Sequence, residues 1–135
     1  MAAEPRWVSL DAVAALNRAI VAETGEPHAL VDRAALDIAV RRPWNVWVYF
    51  MDRDFATLAT ALLVAIAGAR AFAAGNERTA YRAALTLLEA NGYAVDLGPS
   101  RRRAEEQLFE YFRGRLSQAG VSVWFKTWMA PAGGA

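Results

Sequence analysis

Apolar residues recur along this chain at helical spacing, and polar residues mark where each run starts and stops. Ser9 stands where a helix N-cap belongs. Asp11 falls in the first turn, and Val13, Leu16 and Ile20 share one face. This helix is expected to end near Thr24-Gly25, where Gly suits a C-terminal cap. EPHAL then reads as a loop, and Asp32 is placed to cap a second helix, RAALDIAVRR, that Pro43 is expected to stop. The next stretch, WNVWVYFM, has no clean helical period and reads as a loop or an extended flap, a hydrophobic plug over the core.

Asp54 opens the most apolar run. Phe55, Leu58, Leu62 and Ile66 form one stripe, and Ala59, Leu63 and Ala67 a second. A helix apolar on all sides belongs in the centre of a fold. Gly75-Asn76 is expected to break it, and a new helix from Glu77 to Asn91 presents Tyr81, Leu85 and Leu88 before Gly92 ends it. YAVDLGPS reads as a connector. Ser100 is placed to cap a helix with Leu108, Phe109, Phe112 and Leu116 on its buried side and Arg101 to Arg103 in its first turn, where the helix dipole disfavours cations. After Gly120, VSVWFKTWM alternates as a short strand would, or lies as an apolar tail in a groove. The expected architecture is all-α: about six helices around a buried central helix, with a possible short flap and tail strand. Residues 1–129 are expected to form a single domain and 130–135, APAGGA, a disordered tail.

Composition narrows the function. The chain has 135 residues, the size of one domain, and 56% of them are hydrophobic, an excess that needs an apolar interior or a partner. The formal net charge of +1 gives no reason to expect direct nucleic-acid binding. No Cys is present, which excludes disulfides, thiolate metal sites and thiol nucleophiles. The single His, His28, reads as an exposed loop residue. The fifteen uncharged residues from 55 to 69 fall short of the roughly 18 to 20 that a membrane span needs. MAAEPRWVSL carries Glu4 and no apolar core, so it does not read as a signal peptide, and the cytoplasm is the expected location.

The break itself carries the candidate chemistry. Small residues feeding a helix N-terminus leave backbone N–H groups free, and the helix dipole favours an anion there. Ala73, Ala74 and Gly75 would let a phosphate approach the backbone. Asn76 would bond it or cap the helix, and Arg78 would clamp a second phosphate. An ordinary helix–turn–helix with Asn76 as cap and Arg78 on the surface uses the same residues.

The stretch Arg70-Ala-Phe72-Ala-Ala74-Gly75-Asn76-Glu77-Arg78-Thr79-Ala80, followed by ALTLLEANGYAV, resembles the Fic/Doc family, and specifically its short death-on-curing (Doc) branch. The family pattern is roughly His-x-Phe-x-Asp-x-Asn-Lys-Arg-Thr-Ala before a helix that ends in Asn-Gly. The resemblance extends from about Trp7 to Leu116 and includes the opening pair of helices. It implies a Fic/Doc-type bundle and a toxin–antitoxin lineage. It also implies transfer of AMP or a phosphoryl group from ATP to a hydroxyl of a protein target such as a translation factor, and an antitoxin-like partner that lays a helix into a groove. By the same resemblance Phe72, Gly75, Asn76, Arg78 and Thr79 form the nucleotide-binding set.

Three positions depart from the pattern. Arg70 replaces the His that acts as base, and a guanidinium stays protonated. Ala74 replaces the acid that holds magnesium, so no metal ligand is expected there. Glu77 brings a negative charge where Lys is usual. Losing a positioned base alone costs about a hundred- to ten-thousand-fold in rate. The expectation is a non-catalytic or strongly impaired binding module with weak or absent ATP binding and no magnesium. The alternative is an active transferase with rearranged machinery.

Overall fold

The computed structural model describes residues 3–133. Six α-helices run in chain order: α1 (Leu10–Thr24), α2 (Arg33–Tyr49), α3 (Phe55–Ala69), α4 (Asn76–Ala90), α5 (Arg101–Phe109) and α6 (Gln118–Trp128). Two three-residue strands, β1 (Tyr93–Val95) and β2 (Met129–Pro131), pair antiparallel with Ala94 opposite Ala130. The fold is the all-α bundle expected.

Local chemistry sets most boundaries. Ser9 Oγ accepts from the Ala12 amide, Asp32 from Ala35, Asp54 from Ala56 and Ser117 from Gly120, each satisfying a donor that the first turn leaves free. Gly25, at φ +71°, caps α1 and returns its amide to Ala22. Helix α3 lies in the middle, packed by α2, α4 and α6. Leu58, Leu62, Leu63 and Ile66 are fully buried, each contributing about 1.5–3 kcal/mol by leaving water. Burial is not uniform around α3: Val64 and Ala65 are half-buried and Gly68 is exposed. No helix among the described residues is long and apolar enough to cross a membrane.

Several expectations are corrected. Pro43 does not stop α2. It sits inside the helix with its ring buried, so its missing N–H costs one backbone bond while its carbons join the core. The aromatic run therefore continues as helix to Tyr49: Val46 is buried, and Trp47 packs edge-on against Trp7 with centroids 6.0 Å apart. Only the turn from Phe50 to Asp54 remains non-helical. Helix α3 ends at Ala69, six residues before Gly75, with Arg70 as its left-handed cap at φ +47°. Helix α5 stops at Phe109 and a 3-10 turn closes at Gly114, so Leu116 lies beyond it.

Residues 121–128 are helix, not strand. Val121, Trp124 and Phe125 fall on one helical face and are buried. The Trp124 indole donates to the Ala104 carbonyl at 2.7 Å. Ala130 and Pro131, expected in a disordered tail, pair with Ala94 and Tyr93, and Ala132 N–H reaches Gly92 O at 2.8 Å. Residues 134–135 of that expected tail lie outside the described residues.

Candidate functional site

The segment between α3 and α4 does not bulge freely into solvent. It runs antiparallel to the α1–α2 loop. The Val31 and Asp32 amides donate to Ala71 O at 2.7 and 3.1 Å, the Ala73 amide donates to Ala29 O at 2.9 Å, and Leu30 bridges Phe72. Phe72 is buried at 3% exposure, its ring tilted against His28 with centroids 6.1 Å apart. Asn76 holds the turn from the other end. Its Oδ1 accepts the Phe72 amide at 3.0 Å and its Nδ2 donates to the Phe72 carbonyl at 2.8 Å. The asparagine side chain thus shapes the loop and does not cap α4.

Gly75 is the N-cap of α4, at φ +74°, and no side chain caps this helix. A Cβ at this position would stand 3.0 Å from Val21 Cγ1 and 3.4 Å from Asn17 Nδ2, so conformation and space both demand glycine. The Thr79 amide donates to Gly75 O, the first backbone bond of α4. The amides of the turn before it are the donors that a helix start leaves over.

Beneath the turn lies a fully buried asparagine that the sequence reading passed over. Asn17 Nδ2 donates to the Ala74 carbonyl at 2.8 Å and to Thr79 Oγ1 at 3.1 Å. Both of its amide hydrogens are spent there. Its Oδ1 faces His28 Nδ1 at 2.8 Å, so the hydrogen-bond network assigns the proton of that contact to the imidazole. His28 is therefore half-buried and bonded, not the exposed loop residue expected.

Outside the turn is an open groove of about 810 Å³, walled by Gly68 at the end of α3, by Glu26, and by the Phe109–Leu116 segment. Arg70, Gly75, Asn76 and Arg78 share this groove, while Phe72 and Thr79 sit behind it as packing and hydrogen-bonding residues. Arg70 is exposed and makes no ion pair among the described residues. Arg78 is engaged by Glu26, whose carboxylate also takes the Thr24 hydroxyl. The Thr24 hydroxyl and the Arg78 guanidinium hold the Glu26 carboxyl below the usual carboxylate range.

The donor set suits an oxyanion better than a cation. The carboxylates at the groove are Glu26, already paired, and Glu77, exposed in the first turn of α4. Ala74 supplies only a methyl group and a carbonyl that Asn17 already uses. These residues do not fit a magnesium ion, which needs several oxygen ligands in near-octahedral array. Among the described residues no three His, Asp or Glu side chains converge as a ligand set. His28 is not among the residues that wall the groove.

A second depression of about 1030 Å³ lies between α1, α4 and α5. Its floor is Leu16, Ile20, Tyr81 and Phe109, and on its rim Arg101 pairs with Glu105 at 3.6 Å and Arg102 with Glu106 at 3.3 Å. The Tyr81 hydroxyl donates to Glu105 at 2.9 Å, and burial pushes its pKa well above the usual range, with the Glu105 carboxylate adding to the rise. Arg78 and Phe109 border both depressions, so the two are neighbours.

No curated protein matches this sequence. A family model described as the Fic/DOC family matches residues 7–88, which takes in α1 to α3 and most of α4, with the whole turn from Arg70 to Arg78 inside it. The chain belongs to the Fic/DOC family.

Proposed function

We propose that this chain is a Doc-type member of the family in which the phosphate-binding frame is kept for binding and the transfer chemistry is lost. The single observation behind this is the pairing of an uncapped α4 N-terminus with Arg70 and Ala74 where the family pattern has its base and its acid. Amides at a helix start attract an anion, and Arg70 adds an unpaired positive charge at the same groove. Neither Arg70 nor Ala74 can take a proton from an alcohol at neutral pH. The ligand of this reading is a nucleotide phosphate, ATP by family analogy, held weakly and without magnesium.

The wider reading is a toxin–antitoxin lineage acting in the cytoplasm. The depression between α1, α4 and α5 has an apolar floor and a rim of mixed charge, which suits the apolar face of an amphipathic helix from an antitoxin-like partner. The deciding experiment uses the purified chain with ATP and with inorganic phosphate, followed by calorimetry and by melting temperature. Binding to the folded state raises the melting temperature by mass action. Label transfer from ATP to a translation-factor hydroxyl, at the rate of family members that keep the His, would overturn the binding reading in favour of an active transferase.

A further inference from the structure

We infer that Asn17 is a positioning residue that aims the Gly75 amide into the groove, with His28 as the group that orients Asn17. The inference rests on the anion-binding reading above and assigns the residue that shapes that site. In a trans peptide the carbonyl and the following N–H point in opposite directions, and no peptide bond among the described residues is cis. The Ala74 carbonyl is drawn inward to Asn17 Nδ2 at 2.8 Å. The Gly75 N–H belongs to the same peptide, so it is turned outward, to the side walled by Arg70 and Asn76.

The same amide group reaches Thr79 Oγ1 at 3.1 Å, one turn into α4. One side chain therefore fixes the turn and the first turn of the helix against each other. An asparagine can do this only if its amide is not flipped. His28 Nδ1–H, bonded to Oδ1 at 2.8 Å, sets that orientation. Asn17 lies on the Val13–Val21 face of α1, fully buried, where an unsatisfied amide would be costly. Each of its polar atoms has a partner.

The test is a titration of the 15N-labelled full chain with inorganic phosphate and with ATP, in the wild type, Asn17→Asp and Leu62→Ala. Asp keeps an oxygen facing His28 but replaces both donors with an acceptor, so the Ala74 carbonyl is no longer held. Leu62→Ala opens a cavity in the core of α3, about two turns before that helix ends, and controls for lost stability. All three are read well below their melting temperatures. The expected result is that the Gly75, Asn76 and Glu77 amides shift in the wild type and in Leu62→Ala. Affinity is expected to fall about ten-fold or more in folded Asn17→Asp. Equal affinity in Asn17→Asp and wild type would overturn the inference and leave the binding reading standing. Should neither ligand shift any amide in the wild type, the binding reading fails. Hydrogen exchange then decides the inference alone: fast exchange at Gly75 in the wild type, altered in Asn17→Asp, supports the outward aim, and slow, core-like exchange overturns it.

Discussion

Glu26 holds the guanidinium of Arg78 in an ion pair at the edge of the groove, and the Thr24 hydroxyl bonds the same carboxylate oxygen. The arginine nearest the α4 N-terminus is thus already neutralised from within the chain. Glu26 has its pKa lowered by Thr24 and then by Arg78, so the pair persists through neutral pH and is lost only as pH falls through a value below the usual carboxylate range. Glu26→Gln is expected to strengthen sulfate binding about two- to five-fold at neutral pH, the gain from freeing an exposed pair. Sulfate is the useful probe because its own charge is constant over this range. An unchanged calorimetric affinity would show that Arg78 takes no part in anion binding.

Gly75 is the backbone counterpart of that restraint. At φ +74°, with Val21 Cγ1 3.0 Å from the place of a Cβ, it tolerates no side chain without strain. Gly75→Ala is expected to cost about 1–3 kcal/mol in denaturant unfolding and to weaken phosphate binding as the turn relaxes. A wild-type midpoint in this variant would mean that the turn does not hold the left-handed conformation.

Much of this was legible in the sequence, for local reasons. Ser9, Asp32 and Asp54 cap the helices they were expected to open, because capping needs only the residue and the amides beside it. The stripe of Leu58, Leu62 and Ile66 likewise identified the central helix. What failed was decided at a distance. Pro43 and the aromatics after it stay helical because Val46 and Trp47 find the core. The VSVWFKTW stretch is helix because Val121, Trp124 and Phe125 bury together, whereas its alternation suggested a strand. At the groove, Arg70, Gly75, Asn76 and Arg78 are the positions that the family pattern singles out, while Asn17, Glu26 and His28 come to the turn only through folding of their loop and helix. Asn17 did leave one signal: it is the polar residue four positions from both Val13 and Val21 on a buried face.

Trp124 and Phe125 are buried, so they belong to the core and not to a docking surface. Trp124 Nε1–H donates to Ala104 O at 2.7 Å, so Trp124→Phe is expected to cost about 1–2 kcal/mol by removing a buried donor. Phe125→Ala, at a fully buried site, is expected to cost about 3–5 kcal/mol. Unfolding in urea measures both. Neutral effects would return these side chains to the surface and free them for a partner.

The junction of α3 and α6 gives the clearest pH prediction. Asp54 both caps α3, accepting from Ala56 at 2.9 Å, and meets Lys126 Nζ at 3.0 Å. Partial burial opposes its ionisation, but Lys126 and the Ala56 and Thr57 amides outweigh that and lower its pKa. A carboxyl with a depressed folded pKa adds stability above its unfolded value, and that stability is lost as pH falls through the folded one. Two variants separate its two roles. Lys126→Met removes the ion pair alone; because the pair is 58% and 39% exposed, solvent screening keeps the cost below about 1 kcal/mol. Asp54→Asn keeps an oxygen for the cap but cannot titrate. Its stability is expected to change less between pH 7 and pH 3 than that of the wild type, whereas Asp54→Ala loses about 1–2 kcal/mol already at pH 7. If Asp54→Asn and wild type showed the same acid dependence, the stabilising carboxyl would have to lie elsewhere in the fold.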